Sequence, residues 1–147
     1  MATLGEIKQA VKATLKAHIP RLNVYGDVPD VSQLPAVVVL PAKSSAGGLV
    51  CDFNGAMGRG LDTWRLDLYV LVSRTETTLG QQSLDAYVSG AGKRSLRRVF
   101  FEHSDLGLSD GTDAHPEGIS DYGGNFATAS IDHVGAVVRL IVRTTGA

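Results

Sequence analysis

The sequence predicts an α+β fold, with a mostly antiparallel sheet of roughly four to five strands and helices packed on one face. Three observations predict it: an N-terminal segment with helical periodicity, two long segments in which apolar residues alternate, and a helical segment between them. The 147 residues also predict a single domain, spanning residues 1–147. A domain of this length buries enough surface to fold without a metal or a disulfide.

The N-terminal segment predicts an amphipathic helix from about Leu4 to His18. Its apolar residues recur at helical spacing and form one stripe, which consists of Leu4, Ile7, Val11 and Leu15. Thr3 is expected to cap the helix, with Glu6 as its capping-box partner, and Pro20 prevents continuation. The apolar stripe requires a sheet or another partner to cover it.

Two short strands and a glycine-rich segment are predicted next. Asn23 to Tyr25 is a short extended piece, and Ala36 to Leu40 is an apolar run typical of a strand buried on both faces. Residues 42–60 hold five glycines and the turn dipeptide Asn54-Gly55. They predict either a long β-hairpin, whose returning arm continues into the next strand, or a flexible loop.

Leu61 to Ser73 predicts a long central strand with one clear core face. Every second side chain from the only tryptophan onward is apolar, which gives the face Trp64, Leu66, Leu68, Val70 and Val72. On the opposite face, Tyr69 and Leu71 are less polar than a water-facing surface requires. We therefore expect that face to be covered too, either by this chain or by a neighbouring copy.

The second half of the chain predicts two helical pieces followed by strands. Leu79 to Gly90 and Ser95 to Glu102 have helical patterns, and the Asp- and Gly-rich segment Ser104 to Gly118 is expected to be a loop. Ile119 to Tyr122 predicts a short strand. His133 to Thr144 predicts a second long strand with one clear core face, the natural partner of the first.

The totals argue against several classes of protein. A formal charge of −1 predicts no strong general attraction to nucleic acid or to an anionic membrane. No apolar run approaches the roughly 20 residues of a membrane span, and the N-terminus lacks the pattern of a secretion signal. Cys51 is the only cysteine, so no disulfide can form within the chain.

Nucleotide-binding and nucleophile motifs are incomplete. Gly92-Lys93 matches the end of a phosphate loop, but Tyr87 replaces its first glycine and Arg94 replaces the residue that would hold magnesium. Gly118-Ile119-Ser120 begins a nucleophile elbow, but Tyr122 replaces the last glycine. We therefore predict no catalytic residues and no cofactor.

Acidic residues and histidines cluster between Glu102 and Glu117, where hard oxygen ligands could hold calcium. The members are Glu102, His103, Asp105, Asp110, Asp113, His115 and Glu117. The calcium-loop pattern is not met, and the two histidines are too far apart for a helical zinc pair. A solvated turn-rich loop is the favoured interpretation, so we predict no metal site.

The densest basic cluster consists of Lys93, Arg94, Arg97 and Arg98. On a helix, Arg94 shares a face with Arg97 or Arg98. Three interpretations stay open: contact with phosphate, contact with an acidic patch on a partner, or a solvated helix face.

An ordered set of features resembles the tail terminator proteins of long-tailed bacteriophages, also called minor tail or tail-completion proteins. The resemblance covers most of the chain. An N-terminal helix precedes Val24-Tyr25 and Leu34-Pro35-Ala36-Val37-Val38-Val39, and a glycine-rich stretch follows with Ala56-Met57-Gly58-Arg59-Gly60. The next feature is the strand Trp64 to Val72. The helical middle of the chain then begins with Gly80-Gln81, Leu84-Asp85 and Tyr87, followed by Gly92 and Ser95. The last feature is the segment from Val134-Gly135-Ala136 to Val142, followed by Thr144 and Gly146.

The resemblance implies a structural virion protein without catalysis or cofactor. Such proteins form hexameric rings that cap the tail tube, end its polymerisation and join the tail to the head-side connector or stopper protein. DNA passes through the lumen, no membrane is involved, and assembly takes place in the host cytoplasm. The interface candidates in this chain are Met57, Arg59, Tyr69, Leu71, Lys93, Arg94, Arg97 and Arg98. A head-closure or head-tail adaptor protein of the neck is the alternative, and a small metal-dependent enzyme is an alternative of a different class.

Overall fold

The computed structural model describes residues 3–19, 22–26, 35–41, 51–52, 62–73, 77–108, 111–124 and 133–144. Within these ranges it has the helices α1 (Leu4–His18), α2 (Thr77–Val88) and α3 (Leu96–Glu102). The strands are β1 (Asn23–Tyr25), β2 (Ala36–Pro41), β3 (Cys51–Asp52), β4 (Asp62–Ser73), β5 (Asp113–Gly124) and β6 (His133–Thr144). The predicted α+β class is confirmed.

The strands form one mixed sheet in the order β1-β2-β4-β6-β5, with the two-residue β3 pairing beside them on β4. β1 runs parallel to β2, and the other pairings between described strands are antiparallel. The sheet is therefore mostly antiparallel, as predicted, but it is not purely so. A parallel neighbour needs a crossover connection, and residues 26–35 join β1 to β2 without a described helix or strand.

The two long strands predicted as partners form the centre of the sheet. β4 pairs antiparallel with β6 along its whole length, from Asp62 opposite Thr144 to Ser73 opposite His133. The other edge of β4 is divided, because β2 pairs with residues 66–71 and β3 pairs with residues 63–64. The rest of the predicted hairpin or loop, residues 42–50 and 53–60, lies outside the described residues.

The main apolar core lies between the helices and one face of the sheet. α1 contributes its predicted stripe, with Ile7, Val11 and Leu15 fully buried. The predicted core face of β4 lies on the same side, and Leu66 and Leu68 are fully buried there. Complete burial of a side chain of this size stabilises a fold by about 1.5–3 kcal/mol, so this interface explains why α1 needs the sheet.

The opposite face of the sheet has a smaller apolar cluster. Ala36, Val38 and Leu71 are fully buried there, and Tyr25 and Tyr69 are among the residues that pack against them. The helix residues of the core all belong to the first cluster, so the described helices lie on one face, as predicted. Residues on both faces of β2 are buried, which explains its unbroken apolar run.

The loop predicted from Ser104 to Gly118 is wrong in its second half, because β5 begins at Asp113. Two irregularities in its register with β6 hide the alternation, one between Pro116 and Gly118 and one between Ser120 and Gly124. Such bulges and a proline are typical of an edge strand, and β5 ends the strand order. The Ala114 amide donates to the Ser104 carbonyl at 2.7 Å and closes the shorter loop that precedes the strand.

The described helices are short. α1 is the longest, with 15 residues, and no helix in the described part of the chain combines the length and the apolar content needed to cross a membrane.

Candidate interaction surface

The turn between α2 and α3 is held in place by Arg98. Its Nε donates to the Gly92 carbonyl at 2.6 Å, and its Nη2 donates to the Lys93 carbonyl at 3.1 Å. Its Nη1 donates to Glu102 Oε2 at 2.8 Å, one helical turn further along. Arg98 therefore serves the local fold, and its guanidinium is already occupied within the chain.

Ser95 connects the same turn to both helices. Its hydroxyl oxygen accepts from the Arg98 amide at 3.1 Å and caps α3, while the hydroxyl donates to the Ser89 carbonyl just after α2. The side chain is fully buried. The two helices thus meet at a fixed position, and the residues between them are presented on a defined turn.

Three of the predicted basic residues point into solvent from this turn. Lys93, Arg94 and Arg97 are exposed, and none of them has a carboxylate partner within the described part of the chain. Arg97 lies over Gly90, where an added Cβ would meet Nη1 at 3.0 Å. Burial raises the pKa of the Tyr87 phenol, and the positive charge of Arg94 acts on it in the opposite direction. The turn is therefore a cationic surface.

Large apolar side chains are exposed beside this cationic surface. Phe101, on α3, has 84% of its surface exposed, and Ile119, on β5, has 50% exposed. Phe101 follows Arg97 by four residues, so the two side chains share one face of α3. Because α3 and β5 contact each other, we call Arg97, Phe101 and Ile119 together the α3–β5 surface.

A cavity of about 430 Å³ opens between the end of α2, the start of α3 and β5. Its apolar lining includes Tyr87, Val88 and Val138, and Ile119 of the α3–β5 surface also lines it. Arg97 and Glu117 are its charged lining residues, and they form no ion pair with each other. The volume falls in the range of about 300–1,000 Å³ that is usual for ligand pockets.

The end of β5 is tied to α2 by a polar contact. The Tyr122 hydroxyl donates to Asp85 Oδ1, and this hydrogen bond raises the pKa of the Tyr122 phenol, with burial and the Asp85 charge adding to the effect. Asp121 has a φ of 52°, in the left-handed region, within the second register irregularity of β5. This backbone turn redirects the strand so that Tyr122 reaches the helix.

The opposite face of the sheet carries an ion pair. Arg139 Nε donates to Asp67 Oδ1 at 3.1 Å across the β4–β6 pairing, and Asp67 is buried. Nearby, burial raises the pKa of the Tyr69 phenol, and the charges of Asp67 and Asp121 raise it further. Leu71 is fully buried on this face. Leu71 can therefore contact another copy of the chain only if the residues that now bury it move away.

The acidic residues and histidines that cluster in the sequence make separate local contacts in the structure. Asp105 Oδ1 accepts from the Gly107 amide at 3.0 Å, and Glu102 pairs with Arg98. The His103 ring stacks on the His18 ring at the end of α1, with ring centroids 3.7 Å apart and planes 10° apart. No three His, Cys, Asp or Glu side chains in the described ranges lie close enough to hold a metal ion together.

Comparison with known proteins does not assign the chain to a family. No protein-family model matches the chain, and no match is found among curated proteins. The tail-terminator interpretation therefore rests on the residues that resemble that family and on the surfaces described above.

The structure places the described interface candidates in two different positions. Lys93, Arg94 and Arg97 lie together on the cationic turn, and Arg98 supports that turn from within. The other described candidates, Tyr69 and Leu71, lie on the opposite face of the sheet. Met57 and Arg59 fall outside the described residues, so their predicted contacts stay predictions.

Sequence reasoning missed the apolar part of the surface. Phe101 follows Phe100 directly, and the two point to different sides of α3, since Phe100 is fully buried and Phe101 is 84% exposed. The helical positions of Leu96, Val99 and Phe100 contain that signal, because they define a buried side that excludes Phe101. The exposure of Ile119 had no such signal, since it depends on the position of β5 at the edge of the sheet.

Proposed function

We propose that the protein is a structural virion protein, a tail terminator that forms a ring, caps the tail tube, ends tube polymerisation and joins the tail to the head-side connector. The ordered features that resemble this family support the proposal. Among them, the strand Trp64 to Val72 corresponds to most of β4, and the segment from Val134 corresponds to β6. The resembling segments thus coincide with the two central strands of the sheet.

The observation that carries the proposal is the exposure of Phe101. Phe101 exposes 84% of its surface and shares the α3–β5 surface with Ile119, which exposes 50%, so covering both with another protein would remove apolar surface from water. Arg97 lies one helical turn away. Aromatic residues and arginine are enriched at protein–protein interfaces and among the residues that dominate binding energy, which favours an assembly role for this surface.

The glycine-rich segment is the second part of the proposed assembly machinery. We propose that residues 42–60 form a hairpin arm that brings Met57 and Arg59 to a neighbouring copy of the chain. The pairing of Cys51 and Asp52 with β4 supports this arrangement, because it gives such an arm a fixed base on the central strand. In a ring, the contact would be heterologous, with different surfaces of each copy meeting around a closed rotation.

Ring formation is tested by mass photometry and negative-stain imaging of the purified chain, with and without tail-tube protein. We expect a closed ring, hexameric by the resemblance. Phe101→Ser should reduce ring formation while leaving the fold intact, because the side chain is largely exposed. Ala13→Ser, at an exposed position of α1, is the matched control and should assemble normally. A chain that stays monomeric at high concentration, even on assembled tubes, would rule out the proposal.

A pull-down separates the terminator from a head-closure or adaptor protein. A terminator binds both assembled tail-tube protein and the head-side connector. An adaptor of the neck binds the connector and leaves the tube uncapped. The decisive readout is tube length when tail-tube protein polymerises in the presence of the chain, since only a terminator ends that growth.

A further inference from the structure

The cavity beside the cationic turn has the features of a docking site for a peptide segment. Its partly exposed apolar lining, with Val88, Pro116 and Ile119, can contact an apolar side chain, and its volume of about 430 Å³ leaves room for more than one methyl group. Gly118 contributes to the opening, because a Cβ built on it would meet no atom within 4 Å. The site is therefore a partly open pocket, with both apolar and charged lining residues, on the edge of the helical layer.

The charges around the pocket favour an anionic group beside that apolar side chain. Arg97 lines the pocket without a carboxylate partner among the described residues, and Lys93 and Arg94 add two exposed cations in the same turn. Against them stands Glu117, an exposed carboxylate that also lines the pocket. Guanidinium groups bind carboxylates through paired, charge-assisted hydrogen bonds.

We propose that this pocket binds a segment of a partner protein in which a large apolar residue stands next to an acidic residue. The apolar side chain enters the pocket and the carboxylate binds Arg97. The chain of the segment continues over Lys93 and Arg94, a cationic extension that a small molecule confined to the pocket would not reach. The carboxylate of Glu117 accepts backbone N–H groups of the same segment.

Nucleic acid fits the site less well than a peptide does. Tyr87 has 2% of its surface exposed, so it presents no free ring face on which a base could stack. Glu117 opposes a phosphodiester backbone more than it opposes a single carboxylate, because several negative charges would pass along the pocket. Strand addition along β5 is also disfavoured, because Pro116 and the two bulges interrupt its outer edge. The segment therefore binds through its side chains.

The test is an NMR titration of the full chain with three short peptides. The first is acetyl-Ala-Phe-Asp-Ala-amide, the second replaces Asp by Asn, and the third replaces Phe by Ala. We expect the first to shift the amide signals of Gly90, Gly118 and Ile119 with saturation. The Asn peptide should bind about five- to tenfold more weakly, because it loses the charge-assisted contact at a partly exposed site. The Ala peptide should not saturate.

Two variants and their controls assign the binding to the pocket. Arg97→Gln should abolish the preference for the Asp peptide over the Asn peptide, while Lys16→Gln, an exposed cation on α1, should keep it. Gly118→Leu should fill the pocket and prevent binding of both Phe peptides. Gly26→Leu is its control, since a Cβ at Gly26 also meets no atom within 4 Å. If Gly118→Leu does not fold, the comparison of Arg97→Gln with Lys16→Gln still tests whether the carboxylate binds at Arg97.

Several outcomes would overturn the proposal. Equal binding of the Asp and Asn peptides would show that Arg97 does not bind the carboxylate. Unchanged peptide binding by a folded Gly118→Leu variant would show that the peptide does not bind in the pocket. Duplex DNA that shifts the same amides in a salt-sensitive manner, while the peptides do not, would assign the surface to nucleic acid. The titration uses the chain alone, so a failure to form rings leaves this proposal standing, and the reverse also holds.

Discussion

Asp67 is a charged residue where the sheet would otherwise be apolar. It lies on β4 between Leu66 and Leu68, with 7% of its side chain exposed, and the side chain of its partner Arg139 is 25% exposed. A buried ion pair of this kind contributes little net stability, because the cost of removing both charges from water offsets their attraction. Removal of one partner is different, since it leaves the other charge buried and uncompensated.

Arg139→Met should therefore destabilise the protein by about 3 kcal/mol, since Asp67 is left as a lone buried carboxylate. The double variant Asp67→Leu with Arg139→Met should recover much of that loss. Urea unfolding followed by circular dichroism measures the free energy of unfolding of each variant. Arg143→Met is the control, because Arg143 is an exposed residue of the same strand. A single variant as stable as wild type would show that the pair is solvated in solution.

The hydrogen bond of Tyr122 predicts that the stability of the fold depends on pH at alkaline values. Its hydrogen bond to Asp85 raises the pKa of the phenol above its ordinary value of 10.0. A raised pKa stabilises the fold through the protonated form, so the contribution is complete below the unfolded pKa and disappears as the pH rises through the folded pKa. Tyr122→Phe should thus be less stable than wild type at neutral pH, and the difference should begin to shrink only above about pH 10, as the pH rises through the raised pKa of the folded phenol.

The measurement is the unfolding midpoint of both proteins from pH 7 to pH 11. Absorbance of tyrosinate, taken as wild type minus Tyr122→Phe, follows the ionisation of this side chain directly. Asp85→Asn provides a second check, because it removes the charge that holds the proton on Tyr122 and should lower the pKa of the phenol. A Tyr122→Phe difference that persists unchanged at high pH would contradict the hydrogen bond as the cause.

At the scale of the element, the two capped helices respond differently to loss of their caps. Ser95 is fully buried and makes two hydrogen bonds, to the Arg98 amide and to the Ser89 carbonyl, whereas Thr3 is exposed and accepts one, from the Glu6 amide at 3.2 Å. Ser95→Ala should cost about 2 kcal/mol and Thr3→Ala about 0.5–1 kcal/mol. Thermal unfolding of both variants tests the order, and an equal loss would contradict the role of Ser95 in joining α2 to α3.

The elements with strong local signals could be predicted from the sequence. α1 has its stripe, its Thr3 cap and Pro20 beyond its end, and β6 has apolar residues at regular intervals, so their ends were predicted closely. The pairing of β4 with β6 followed from two long strands of equal pattern. These features are local or depend on one strong pattern, so the spacing of apolar residues along the sequence is enough to predict them.

The remaining features depend on tertiary position. Only the first half of β5, Asp113 to Gly118, is predicted as loop, because its proline and bulge are local signals against a strand and only pairing with β6 overrides them. The predicted strand Ile119 to Tyr122 lies in its second half. The parallel pairing of β1 with β2 has no local signature either. In the candidate surface, the cationic cluster could be predicted from sequence, but the position of Ile119 beside Arg97 depends on the tertiary pairing of β5.

At the scale of the whole molecule, the described sheet has a centre paired on both sides and an edge formed by β5. β4 and β6 are each paired on both edges over described residues, whereas β5 is paired with β6 alone and has two breaks in register. The α3–β5 surface and the pocket lie along this edge. A partner bound there, as proposed, would add contacts to a strand that has a described sheet neighbour on one side only.

Hydrogen exchange of the isolated chain tests this division. Amides in the middle of β4 and β6, such as those of Leu68 and Val138, should exchange only through global unfolding, because both neighbouring strands must separate to expose them. Amides of β5 from Ser120 onward should exchange roughly tenfold faster or more, through local opening where the register breaks. On assembled tail tubes, added protection should appear in α3 and β5 and leave the centre of β4 unchanged. Uniform protection across β4, β5 and β6 in the isolated chain would mean that the sheet opens as one unit and that β5 needs no partner to order it.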